Sequence, residues 1–308
     1  MRSKPAGRRG RLLAVAAGIA LVVTAGGAVP AGPTGGHAIR SEGLPSPIVT
    51  TSPTNPLSLA SPDGSADPRR GGSGDEAAVR FGWGVPVAGQ SDEFNGTSVD
   101  LNKWGLFGVG PGEATGCSPG FHGHGERCAS QTTAGGGYLS VTGTADGKTG
   151  GLWGRMAAFR YGRVEVRERA VPLSDNGGRP YNAVPLLWPL QEEAWANAEI
   201  DFAERSVAAP SVSLYVHHDD TQTQCTVVID STEFHNYAVD WQPGSISWFV
   251  DGVRECTVSA SIDSFSRSNG GAQMDMFPAT GVLMRPARQD IDWVRMYAAP
   301  ATEFQMLP

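Results

Sequence analysis

A chain of 308 residues has room for one large all-β domain or two small ones, and its 41 glycines and 22 prolines favour a loop-rich β protein over a helical bundle. The formal charge of −7 would become more negative if the basic N-terminus were removed. An acidic surface repels phosphate backbones, which sets nucleic acid aside as a partner and leaves a neutral polysaccharide compatible.

Residues 1–31 read as an export signal. Arg8, Arg9 and Arg11 precede the apolar run Leu12–Val23, and small residues continue to Ala31, so cleavage after Ala28 or Ala31 fits. The Arg8–Arg9 pair is followed by Gly10 and Arg11, which departs from a twin-arginine signal. The apolar run is shorter than the roughly 20 residues that span a bilayer, so cleavage is favoured over a membrane anchor. The expectation is a secreted monomer with no stable membrane insertion. Residues 32–80, rich in Pro, Gly, Ser and Thr, bury too little apolar surface to offset the entropy of ordering and read as a disordered linker. A folded domain is expected over 81–300, with a short tail at 301–308.

Four cysteines in an exported chain read as two disulfides. Of the three possible pairings, the nearest-neighbour one, Cys117–Cys128 with Cys225–Cys256, is favoured. Each closure removes roughly 3 kcal/mol of unfolded-chain entropy. Zinc is disfavoured by the lack of CxxC or HExxH.

Beyond Phe81, short alternating apolar runs recur between turns, as in a sandwich. Leu139 and Val141 flank Ser140; Val164 and Val166 alternate with Arg163, Glu165 and Arg167. Tyr237, Val239 and Trp241 share a strand face that ends at Pro243–Gly244. Ile246, Trp248 and Val250 follow, and Asp251–Gly252 is a two-residue hairpin signal. Ile291–Tyr297 alternates again. The domain is expected to be all-β.

Glu199-Ile200-Asp201-Phe202-Ala203-Glu204 carries three acids in six residues. On a regular strand Glu199, Asp201 and Ala203 share one face, and Glu204 takes the other. A β-bulge at Phe202–Ala203 shifts the phase and returns Glu204 to the face of the first two acids. Along such a strand the Cα atoms of Glu199 and Glu204 lie about 13 Å apart. Retaining glycosidases hold their carboxyls roughly 5–5.5 Å apart and inverting ones further, a choice the spacing leaves open. Ala and Glu favour helix, so propensity alone makes a helix over Glu192–Val207 about as good a reading as a strand.

This block resembles the bulged E-[ILV]-D-x-x-E signature of glycoside hydrolase family 16. Ser91–Trp104, Tyr161–Ala170, Ala183–Pro189, Phe234–Gly252 and Asp290–Tyr297 resemble other family blocks, in the family's order. The resemblance implies a concanavalin A-like jelly-roll β-sandwich with a concave substrate cleft. It makes Glu199 the nucleophile of a retaining mechanism, Glu204 the acid and base, and Asp201 the residue that tunes the nucleophile. Two anionic neighbours disfavour ionisation of a third carboxyl, the device that would keep the acid protonated. Trp188 and Trp195 resemble cleft tryptophans, whose indole faces stack on sugars; core packing is the alternative. Ser213, Tyr215 and His217 should share the strand face opposite Val212, Leu214 and Val216, and His217 resembles a cleft histidine.

The resemblance also implies a structural Ca²⁺, with Glu93 and Asp292 at positions like its ligands, although catalysis itself needs no cofactor. Hydrogen-bonded or solvated acids are the other reading of that pair. Ala198 stands where the family usually has glycine, Arg205 follows Glu204, and Gln273–Gly281 replaces an Asn- and Gly-containing strand. These departures touch the substrate more than the catalytic pair. The implied activity is an endo-β-glucanase acting on β-1,3 or mixed linkages; a transglycosylase and a non-catalytic carbohydrate-binding protein are the alternatives.

Overall fold

The computed structural model describes residues 74–110, 115–120, 125–207, 209–268, 274–275, 281–300 and 304–307. The export signal and most of the linker lie outside the described residues, as does most of Gln273–Gly281.

Alternation of side chains sorts most of the described strands into two large sheets. In chain order they begin Thr132–Gly135 (β1), Tyr138–Gly143 (β2), Phe159–Arg160 (β3), Gly162–Pro172 (β4) and Asn182–Ala183 (β5). Next come Leu186–Pro189 (β6), Ile200–Ser206 (β7), Ser211–His218 (β8), Thr221–Val228 (β9) and His235–Gln242 (β10). Ser245–Val250 (β11), Val253–Val258 (β12), Ser266–Ser268 (β13), Met274–Asp275 (β14), Ala287–Tyr297 (β15) and Gln305–Met306 (β16) complete them. The front sheet runs β9-β8-β7-β6-β13-β3-β16, with β5 beside β7 and β14 beside β5; the back sheet runs β12-β11-β10-β4-β15-β2-β1. The result is the jelly-roll β-sandwich that the alternating pattern and the resemblance predict.

The runs in β2, β4, β10 and β11 point into the space between the sheets, whereas Ile291–Tyr297 shifts register after Ile291, so that Val294 and Met296 turn inward and Tyr297 outward. Leu139, Val141, Val164, Val166, Tyr237, Val239, Trp241, Ile246, Trp248 and Val250 from the back sheet meet Leu187, Ile200, Phe202, Val212, Leu214 and Val216 from the front. Asp251 and Gly252 both take positive φ, 47° and 69°, as a tight hairpin between β11 and β12 requires. Both expected disulfides form. Cys225 lies on β9 and Cys256 on β12, the outermost strands of the two sheets on one side, so this bond fastens the sandwich along an edge.

Two sequence expectations need correction. Packing begins before Phe81: Ala77–Arg80 forms one helical turn whose alanines, with Trp83, cover Ala238, Phe249 and Tyr297 on the outer face of the back sheet. Glu165, read as an outward polar residue of an alternating strand, is consequently buried. It accepts from the Ala77 and Ala78 N–H groups at 2.6 and 3.1 Å. Orphan N–H groups at the start of a helical turn need an acceptor, and this carboxylate supplies one from 88 residues away in the chain.

Candidate active site

The acid-rich segment divides at Ala198. Glu192–Asn197 forms a short 3-10 turn, where the Ala- and Glu-rich composition has its way. Its Trp195 carbonyl accepts from the N–H of Glu199 at 3.1 Å, and β7 starts at the next residue. Pairing of β7 with β8 matches Ile200 to Val216 and Asp201 to Tyr215, then resumes at Glu204 with Ser213. Three steps on β7 therefore oppose two on β8, which is the expected bulge. Its outcome differs in one detail from a simple strand count: Phe202 and Ala203 both turn into the core, and Ala203 leaves the acid face.

A bulge disturbs the ladder, and three contacts from outside it hold the backbone of this segment. Phe202 N–H donates to the Pro185 carbonyl at 2.7 Å. From the back sheet, the Trp248 indole N–H crosses the core to the Asp201 carbonyl at 2.9 Å. The Arg205 guanidinium turns back to the Ala203 carbonyl at 2.9 Å and reaches Glu168 of β4 at 2.6 Å.

Glu199, Asp201 and Glu204 are thereby held with their side chains out of solvent, each at most 6% exposed. Burial pushes the Asp201 carboxyl well above the usual range, and the charges of Glu199 and then Glu204 push the same way. The like-charge argument that the sequence suggested for Glu204 thus falls on the middle acid, the most enclosed by the other two. His217 Nε2 lies 3.8 Å from both Glu199 Oε2 and Asp201 Oδ2. Burial, with a smaller contribution from His218, holds this imidazole down to about 4, so it faces the acids as a neutral ring and the contacts are not ion pairs near neutral pH. Tyr215, opposite Asp201, is pushed up mainly by burial, with Glu204 and Asp201 adding to the shift.

Both tryptophans reach this face by different routes. Leu186 of β6 pairs with Asp201 and Leu187 with Ile200, so Trp188 falls on the acid side, where it is 9% exposed. Trp195 of the 3-10 turn meets the His217 ring edge-on at 5.6 Å between centroids. Sequence reasoning overlooked Asn182, whose amide donates to Glu204 Oε1 at 2.6 Å. Its β5 is two residues long and pairs with β7 just beyond the bulge, so no alternation pattern signalled it.

Glu93 and Asp292 are each engaged by an arginine: Arg295 donates to both Glu93 oxygens, at 2.7 and 2.8 Å, and Arg167 lies 3.2 Å from Asp292. Among the described residues the one group of three possible metal ligands in mutual reach is Cys117, Glu126 and Cys128, and its two sulfurs are bonded to each other.

The model of "Glycosyl hydrolases family 16" matches residues 127–295, more than half of the chain and all of the acid face. The chain belongs to glycosyl hydrolase family 16. It is 28% identical to a β-glucanase of Paenibacillus polymyxa over 168 residues, 51% of this chain and 68% of that protein. To a β-glucanase of Paenibacillus macerans it is 29% identical over 147 residues, covering 44% of this chain and 60% of the relative. The crystal structure of an endo-1,3-β-glucanase from Streptomyces sioyaensis shares the fold with a TM-score of 0.50 at 18% identity, over 69% of this chain and 98% of that one. Family membership makes this chain a glycoside hydrolase, and its three acids lie within the matched span.

Proposed function

We propose that the chain is a secreted, endo-acting β-glucan hydrolase of the retaining type, with β-1,3 or mixed linkages as substrate. The observation that carries this reading is the bulge, which sets Glu199, Asp201 and Glu204 on one face beside Trp188 and His217. The β-glucanase relatives support the substrate class, and the paired cysteines support an oxidising compartment.

In this reading Glu199 attacks the anomeric carbon while Glu204 gives its proton to the departing glycosidic oxygen. A covalent glycosyl-enzyme and a free chain end result. Glu204, now a carboxylate, takes a proton from water as that water attacks the same carbon and releases Glu199. Asp201, kept neutral by burial, adds no second negative charge beside the nucleophile and can donate to it. Asn182 holds the Glu204 carboxyl in register through its 2.6 Å hydrogen bond. Trp188 supplies an apolar surface for a sugar ring.

Glu199→Gln should lower kcat on laminarin or lichenan by about 10⁴-fold or more while retaining glycan binding. Nuclear magnetic resonance of the first product should show the β-anomer, since two displacements restore configuration. Near wild-type turnover in the variant would remove Glu199 as nucleophile, and an α-anomer as first product would make the enzyme inverting.

A further inference from the structure

The strand registers align five side chains in a row across the front sheet. Gln222 of β9 pairs with His217 of β8, and the His217 N–H donates to the Glu199 carbonyl at 3.0 Å. One register step beyond the Leu187–Ile200 pair, Glu199 faces Trp188 of β6, and Trp188 pairs with Arg267 of β13. The neighbouring pair of Ser266 with Phe159, a core residue, independently turns Ser266 inward and so Arg267 outward, onto the acid face. At about 4.8 Å per strand, Arg267 stands roughly 10 Å from the strand position of Glu199. That distance sets it beside a sugar neighbouring the one attacked.

Arg163, Arg167, Arg169, Arg205, Arg288 and Arg295, on the long strands β4, β7 and β15, each have a carboxylate within 3.2 Å. Among the described residues Arg267 has no ion-pair partner, and its Nε is buried without a hydrogen-bond acceptor. The opposite arm of the face is uncharged: Ser213, Tyr215, Gln222, Gln224 and Thr226 lie there. A partly buried guanidinium beside an aromatic ring, with unspent donors, suits a planar or tetrahedral anion better than a lone hydroxyl, since charge-assisted hydrogen bonds are about twice as strong as neutral ones.

We propose that Arg267 forms a subsite for a negatively charged substituent, a carboxylate or sulfate ester, on a sugar adjacent to the cleavage point. The enzyme then favours β-glucan chains bearing acidic groups. This rests on the reading of the front sheet as a glucan-cleaving face.

The test compares kcat/KM on a carboxymethylated β-1,3-glucan and on the unmodified glucan of equal length, for wild type, Arg267→Met and Arg267→Lys, each first checked for an unchanged melting temperature. The ratio of charged to neutral substrate should exceed one in the wild type and drop roughly tenfold in Arg267→Met. Arg267→Lys should retain part of the preference, and salt should weaken it. A sulfated glucan run in parallel separates the two anions. Equal ratios in wild type and Arg267→Met would overturn the subsite. Should neither glucan be cleaved, the glucanase reading fails instead. Calorimetric titration with the carboxymethylated glucan then decides the subsite alone, and equal Kd for wild type and Arg267→Met rejects it.

Discussion

Trp248 and Trp241 offer a matched pair for testing whether the back sheet holds the acid-bearing bulge in place. Both indoles are fully buried in the same core. Only Trp248 spends its N–H on the front sheet, on the Asp201 carbonyl at 2.9 Å; Trp241 Nε1 has no acceptor. Changing either to phenylalanine removes similar volume, at a cost of about 1–2 kcal/mol. Trp248→Phe also deletes a buried hydrogen bond to a carbonyl of the acid segment, a further loss of about 0.5–1.5 kcal/mol, whereas Trp241→Phe removes a donor that has no acceptor among the described residues. The first variant should therefore be less stable than the second by about 0.5–1.5 kcal/mol in urea unfolding. Because that carbonyl lies between Glu199 and Glu204, kcat should also fall, by up to about 100-fold for a displacement near 1 Å, in Trp248→Phe but not in Trp241→Phe. Equal stability losses with equal activity would show that the cross-sheet hydrogen bond neither supports the bulge nor positions the acids.

Two further outcomes follow from features away from the acids. Replacing Cys225 and Cys256 together by serine opens a closure of 31 residues. It should cost roughly 4 kcal/mol of stability by the loop-entropy model, with kcat measured below the lowered melting point largely preserved; an unchanged melting temperature would deny the edge fastening. Burial raises the Glu165 carboxyl to about 7, outweighing the Ala78 and Ala77 N–H groups and the Arg295 charge, which all act to lower it. A folded-state value above the unfolded one means stability that is fully present at low pH and lost as pH rises from about 4.5 through about 7. The wild type should accordingly lose on the order of 3 kcal/mol relative to Glu165→Gln across that window. A difference that is flat, or grows in favour of the wild type with rising pH, would mean that the hydrogen bonds and Arg295 win over desolvation.

Much of this architecture was readable because period-two alternation reports burial on one face. The runs around Val164, Tyr237 and Ile246 needed no further information, and Asp251–Gly252 announced its own turn. The acid segment was readable only in part. Its composition favours helix, and it yields one in Glu192–Asn197. The strand that follows is fixed by pairing with β8, a long-range term no local propensity contains. Glu165 and Asn182 escaped for related reasons. One is buried by a segment distant in sequence, and the other touches its partner across a two-residue strand. That Arg295 and Arg167 engage the Glu93 and Asp292 carboxylates was not legible either, because opposite charges on adjacent strands are invisible until the register is known.

The bulge also accounts for Arg205, which looked like a departure without a purpose. Bringing Glu204 outward after two inward residues obliges the next side chain to point into the core. An unpaired charge there would be prohibitive, yet Arg205 is fully enclosed and meets Glu168 at 2.6 Å, with Gln289 donating to the other Glu168 oxygen. Burial alone pushes Glu168 up, and the Arg205 charge, with hydrogen bonds from Gln289 and Arg205, opposes that shift. The same guanidinium closes on the Ala203 carbonyl within the bulge. A hydrophobic side chain at 205 could fill the core but could not supply that donor. The phase shift that assembles the acids on one face thus creates an inward position on the other, and an arginine there turns it into a second tie between the sheets.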